Sequence, residues 1–144
     1  MSVAFRLSQI QVCVIYAYSG WEKLKGVAWW KGEALWTVLA NSQIARFDFG
    51  FTSHLPMVII AATYITMLWE IYFPVLVWIP KLRRPSLILG VLVHLGILIT
   101  LFIPHFATLM IVAYVVFLTP QEIEYFEKKF KALARDPKRL LSNP

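Results

Sequence analysis

The sequence predicts an all-α fold: a polytopic membrane helix bundle of about four transmembrane helices, with an interfacial loop helix and a C-terminal amphipathic helix. Three observations predict it. Hydrophobic residues make up 59% of the 144 and charged residues 15%, where an average soluble domain has about 45–50% and about 25%. Mean hydropathy is +0.65. The apolar residues gather in runs that approach the length of a bilayer crossing, and the basic residues sit beside those runs and not along a polar face. A net charge of +6 and a pI near 9.6 therefore read as membrane topology and not as nucleic-acid binding. A single cysteine, Cys13, excludes an intramolecular disulfide, a thiolate zinc site and a CxxC redox pair.

Taken in order, Val3 to Gly20 is mainly apolar and, as a helix, about 27 Å long, close to the hydrocarbon thickness of a bilayer. This is the first expected span (3–20). Arg6, Gln9 and Gln11 interrupt its apolar core and no small-residue cleavage site follows, so it does not read as a signal peptide. From Trp21 to Leu55 the chain is too polar for lipid, yet it carries Trp21, Trp29, Trp30 and Trp36. Indole favours the headgroup layer, so this reads as an interfacial loop with a short helix near Glu33–Leu39.

The second span (57–79) runs between Pro56 and Pro80, with Glu70 and Pro74 inside it. A basic knot of Lys81, Arg83 and Arg84 precedes Leu87–Leu118, an apolar run without Asp, Glu, Lys or Arg and too long for one crossing. Pro104-His105 is the expected hinge, giving spans over 87–103 and 106–118. Thr119-Pro120-Gln121-Glu122 then reads as an N-cap, a proline at the first helical position and a capping-box glutamate. It opens a charged helix to about Arg135, within a basic cytoplasmic tail (120–144) that follows the membrane bundle (1–119). The residues from Asp136 to Pro144 read as frayed.

Sorting the cations orients the bundle. With four spans, Arg6, the 81–84 knot and Lys128, Lys129, Lys131, Arg135, Lys138 and Arg139 share one side; only Lys23, Lys25, Lys31 and Arg46 lie on the other. The positive-inside rule then places both termini in the cytoplasm, with a bacterial inner membrane as the expected location. The expected partners are the lipid bilayer, anionic headgroups at the basic tail and a membrane protein.

Three groups are candidates for chemistry. Glu70, in the middle of its span, is costly in lipid unless it is protonated, paired or wetted. It reads either as functional or as a buried structural acid meeting His94. His94, central in the third span, is expected to face Glu70 at comparable depth on the neighbouring antiparallel span. With His54 and His105 at the opposite boundary, no metal site is expected. Lys23, among indoles at the end of the first span, reads either as an amine with a lowered pKa or as a snorkelling lysine paired with Glu22 or a headgroup. Ala17, Ser19, Gly20, Gly90 and Gly96 read as close-packing positions. Gly26 and Gly32 read as turn residues.

The block from Gln9-Ile10-Gln11 through Tyr16-Ala17-Tyr18-Ser19-Gly20-Trp21-Glu22-Lys23-Leu24, followed by Trp30-Lys31-Gly32-Glu33-Ala34-Leu35, resembles the HTTM family, the membrane domain related to vitamin K-dependent gamma-carboxylase. The likeness runs over about residues 5–120, through an acidic residue and an aromatic-Pro pair in the next span and a span with one central histidine. In the carboxylase, the resemblance implies, the lysine of this block is the base that deprotonates a quinol. Lys23 is the matching position. The chain lacks the family's opening spans and the extramembrane domain that recognises peptides, so protein carboxylation is not expected. Gly-x-x-Lys-Leu closing a first span of four also looks like the DoxX-like small membrane proteins.

Two functions follow as expectations. One is quinol-linked redox or proton-abstraction chemistry, of a carboxylase-like lyase or an oxidoreductase. It has Lys23 as base, His94 and Glu70 polarising or relaying protons, Trp21 and Trp30 lining the entrance and a membrane quinone as cofactor. The other is a non-catalytic membrane scaffold or subunit whose polar residues fix helix packing; a truncated relic of the larger domain is a third.

Overall fold

The computed structural model describes residues 3–135. Lys138 and Arg139, and the end expected to be frayed from Asp136 to Pro144, lie outside the described residues. Among those described, the chain is helical, with α1 at Val3–Lys25, α2 at Val27–Trp30, α3 at Ala34–Leu39, α4 at Pro56–Leu76, α5 at Pro80–Thr100, α6 at Pro104–Ala113 and α7 at Pro120–Arg135. Short 3-10 turns cover Gly50–His54 and Tyr114–Phe117.

The long helices alternate in direction and close a ring. Arg6 stacks over the Trp78 ring, Tyr16 packs on Phe73 and Gly20 abuts Ile71, so α1 runs antiparallel to α4. A turn of three residues reverses the chain into α5, where Trp69 Nε1 donates to the Ser86 carbonyl at 3.1 Å. Past Thr100 the chain turns again into α6, and Gln9 Nε2 donates to the Val116 carbonyl at 2.6 Å, returning the last limb to α1. Each limb contributes to one core: Val12, Cys13 and Tyr16 from α1, Trp69 and Phe73 from α4, Leu87 from α5, and Met110, Tyr114 and Phe117 from the last limb.

The exterior is the reverse of a soluble bundle. Val14, Ile65, Leu68, Ile88, Leu92, Leu109 and Val112 are exposed, while Gln9, Thr63, Glu70, Ser86 and His94 are buried. Only 28% of the apolar stretch in α4 and 22% of that in α5 is buried inside the protein. A bundle facing water would not spend its apolar residues outside and its polar ones within. By length and apolarity α4 and α5 can each cross a membrane; a third crossing counts only if the bent pair of the last limb and α7 is one span. The 23 residues of α1 are long enough but not apolar enough to join them, because Arg6, Gln9 and Gln11 interrupt it.

Several boundaries differ from expectation for local reasons. The basic knot is no loop: Pro80 starts α5, so Lys81, Arg83 and Arg84 occupy its first turns and the reversal shrinks to residues 77–79. The break before the last limb falls at Leu101–Ile103, ahead of Pro104, which opens α6 with its preset φ. That break is held by a short antiparallel bridge. Arg46 N donates to the Thr100 carbonyl and Phe102 N to the Ile44 carbonyl, each at 2.8 Å, and Arg46 Nε caps the Leu101 carbonyl at 2.9 Å.

Close approach explains two glycines and not a third. A Cβ on Gly20 would lie 2.9 Å from the Ile71 side chain and 3.1 Å from its backbone. One on Gly90 would fall on the Tyr114 hydroxyl and 2.7 Å from Trp69 Cζ2. Gly96, expected to serve the same purpose, faces open space. Gly32 makes its turn at φ 74°, which favours glycine.

Candidate functional site

The face of α1 turned to the bundle carries Gln9, Val12, Tyr16, Ser19 and Lys23, alternating three- and four-residue steps that keep one stripe of a helix inward. This register sets two polar clusters one above the other. At the end of α1, Lys23 Nζ lies 2.5 Å from Glu70 Oε2 of α4 and 2.8 Å from Ser19 Oγ, and Ser19 Oγ donates to the same Glu70 oxygen at 2.7 Å. Both hydrogen bonds to the carboxylate fall on Oε2. Side-chain exposure is 17% for Lys23 and 12% for Glu70, so the pair is neither sealed nor in bulk water. The Trp29 ring covers the ammonium at 5.0 Å, a cation–π contact. Pro74, one turn after Glu70, lacks the amide that would bond the Glu70 carbonyl, which loosens α4 at this level.

Deeper along the stripe, the Tyr16 hydroxyl is hydrogen-bonded to His94 Nε2 at 2.6 Å and to the Tyr114 hydroxyl. Tyr16, His94 and Tyr114 are all buried, packed edge-on to Trp69 or against Phe73. His94 Nδ1 has no hydrogen-bond partner among the described residues. The space that admits Tyr114 is the missing side chain of Gly90.

Glu70 and His94 both point into the bundle, but they do not pair with each other. The carboxylate is taken by an ammonium, the stronger partner for an anion, and the imidazole by a phenol. The partner of Lys23 is likewise Glu70 and not Glu22, which bonds Lys25 at 2.6 Å. Neither Trp21 nor Trp30 lines the Lys23 site. Trp21 and Trp30 are 61% and 57% exposed, and Trp30 Nε1 is bonded to the Leu24 carbonyl at 2.7 Å. Trp29 takes the place expected of them, because α2 is a single turn whose docking is set by the Tyr64 hydroxyl on the Trp30 carbonyl.

Sequence reading missed Tyr16 and Tyr114 and took Ser19 for packing alone. The signal for Tyr16 and Ser19 was present in their spacing from Lys23; Tyr114 carried none, since its role depends on a glycine of another helix. Among the described residues no three His, Cys, Asp or Glu side chains gather as a metal would require.

Fold and site together define a small helical bundle, apolar outside, with an ion pair and a His94–Tyr16–Tyr114 chain inside. Comparison with protein-family models, with curated proteins and with solved structures gave no match.

Proposed function

We propose that this chain is a four-span integral membrane protein of a bacterial inner membrane, both termini cytoplasmic, that binds a membrane quinol and moves its proton through Lys23 and Glu70. The observation that carries the reading is the Lys23–Glu70 contact of 2.5 Å inside an apolar-faced bundle. Supporting the span count are the alternating directions of α1, α4, α5 and the last limb, and the collection of Arg6, Lys81, Arg83, Arg84 and α7 at one end.

The chemistry follows from the pairing. A charged lysine is no base, so Lys23 accepts a proton only after passing its own to Glu70, and the pair is the working unit. A quinol hydroxyl approaching from the lipid side would then donate to the Lys23 amine, and the ammonium so re-formed stabilises the phenolate while the first proton stays on Glu70. Trp29 offers a face on which a quinone ring can stack. The resemblance of the Ser19-Gly20-Trp21-Glu22-Lys23-Leu24 block to the HTTM family points to the same lysine. His94 and Tyr16 form a second hydrogen-bonded pair deeper in the bundle.

A second reading, a non-catalytic scaffold or subunit, is favoured by the bonds that tie Lys23, Ser19 and Glu70 to one another and Tyr16 to His94 and Tyr114. Solvent extraction of the purified protein followed by mass spectrometry separates the two. Co-purified quinone that is lost in Glu70→Gln and Lys23→Ala supports the first; wild-type protein that holds no quinone and takes up none when supplied leaves the scaffold.

A further inference from the structure

The helix α7 turns away from the last limb with a 120° bend, so it crosses the basic end of the bundle instead of continuing its axis. Its root is locked. Glu122 Oε1 accepts from Arg84 Nε at 2.6 Å, and Arg83 Nη2 lies 3.7 Å from Oε2. Held there, α7 forms a cleft of about 400 Å³ against α5, lined by Leu87, Ile88, Leu118, Tyr125 and Phe126, with Arg84 and the Glu122 that it pairs with beside them. A second cleft of about 710 Å³ opens beside it around Val115, Ile123 and Phe130, with Lys129. Tyr125, Phe126 and Phe130 remain 61%, 55% and 75% exposed, too much aromatic surface for a helix finished in water.

The charges around this surface have one sign left over. Lys128 and Lys131 pair with Glu124 and Glu127 along the helix, but among the described residues Lys81 and Lys129 are in no ion pair, Lys129 lying over the Tyr125 ring. The Arg84 side chain is 70% exposed and gives only its Nε to Glu122, so the two terminal nitrogens of its guanidinium have no partner among the described residues. The apolar walls are continuous with the exposed flank of the bundle at Ile88 and Val115, the surface that lipid chains cover once the chain is in a membrane. An occupant must therefore be apolar along Ile88, Tyr125 and Phe126 and anionic at Arg84. We infer that α7 and the first turns of α5 form a binding site for an anionic phospholipid, its phosphate on Arg84 and an acyl chain in the cleft.

This inference rests on the membrane reading but not on quinone binding. The test is native mass spectrometry of the full chain released from nanodiscs of phosphatidylglycerol and phosphatidylcholine in equal amounts. Wild-type protein should retain phosphatidylglycerol over phosphatidylcholine by about fivefold or more, the effect of one basic residue at a membrane surface. Arg84→Gln should equalise the two lipids, and Arg84→Lys should restore the preference in part. Ile88→Trp, which fills the cleft and leaves the charge, should lower retention of both. Equal retention by wild-type protein would overturn the site, as would a preference that survives Arg84→Gln. A response to Arg84 without one to Ile88→Trp would reduce it to general attraction at a basic surface, and recovery of a stoichiometric protein in place of lipid would also overturn it. Quinone is assayed in the same samples, so loss of lipid preference with quinone retained tells against this site alone.

Discussion

Lys23 Nζ and Glu70 Oε2, 47 positions apart in sequence, meet at 2.5 Å where α1 and α4 cross. Gly20 permits the approach, since any side chain there would strike Ile71. Removing one partner leaves the other charge uncompensated in a largely apolar setting. Glu70→Leu or Lys23→Met alone should cost about 2–3 kcal/mol, less than a fully sealed pair because both side chains keep some solvent contact. The double variant should recover most of that loss. Unfolding in mixed micelles reads the cycle; additive losses would show that the two groups do not interact.

Tyr16 is the only hydrogen-bond partner described for His94, whose Nδ1 already has none. Tyr16→Phe should therefore strip the imidazole of its last bond and destabilise by about 1–3 kcal/mol. Tyr114→Phe, which leaves the Tyr16–His94 bond in place, should cost less. Equal melting of the two variants would remove His94 from the account.

Gly90 and Gly96 lie six residues apart on α5, yet only the first is crowded. Gly90→Ala should push Tyr114 and Trp69 apart and cost about 1–3 kcal/mol, the usual penalty of overpacking. Gly96→Ala should be neutral or slightly stabilising. Thermal stability in detergent decides it, and a tolerated Gly90→Ala would mean that the last limb shifts freely.

Glu122 sits in the capping box of α7, accepting from Thr119 N at 2.7 Å and Thr119 Oγ1 at 2.8 Å. The Thr119 amide and hydroxyl, with Arg84 beyond them, hold its carboxyl down at about 2, from an ordinary 4.5. A depressed carboxyl stabilises the fold above its ordinary range and loses that contribution as pH falls toward its folded value. Docking of α7 should thus persist at pH 5, weaken through pH 4.5 to 2, and lose this dependence in Glu122→Gln. Protease cleavage within α7 as a function of pH provides the readout.

For topology, Ser42→Cys and Lys128→Cys should react with an impermeant maleimide from opposite faces of the membrane, Lys128→Cys from the cytoplasm. Cys13 is buried and gives little background. Labelling of both from one face would contradict four crossings.

Composition and run length were enough to determine an apolar helical protein, since an excess of apolar residues in long runs admits few other solutions. Local signals were equally readable: Thr119 to Glu122 forms its capping box, α3 begins at Ala34, beside the expected Glu33, and ends at Leu39, and Lys23, Glu70 and His94 are each drawn into the bundle's polar clusters. Each depends on residues within a turn or two, or on the cost of a polar group among apolar ones. Which partners meet was decided only by the tertiary structure. Glu70 meets a lysine of α1 and not His94, and the choice follows from the rotation of α1, from the glycines that let helices close, and from the stronger attraction of an ammonium for a carboxylate. The same holds for Trp29 over Trp21 and Trp30, three indoles alike in sequence. Trp21 lies on the exposed side of α1, and the single turn of helix after Gly26 points Trp29 at Lys23 and leaves Trp30 outside, because the facing of so short an element comes from what it docks against.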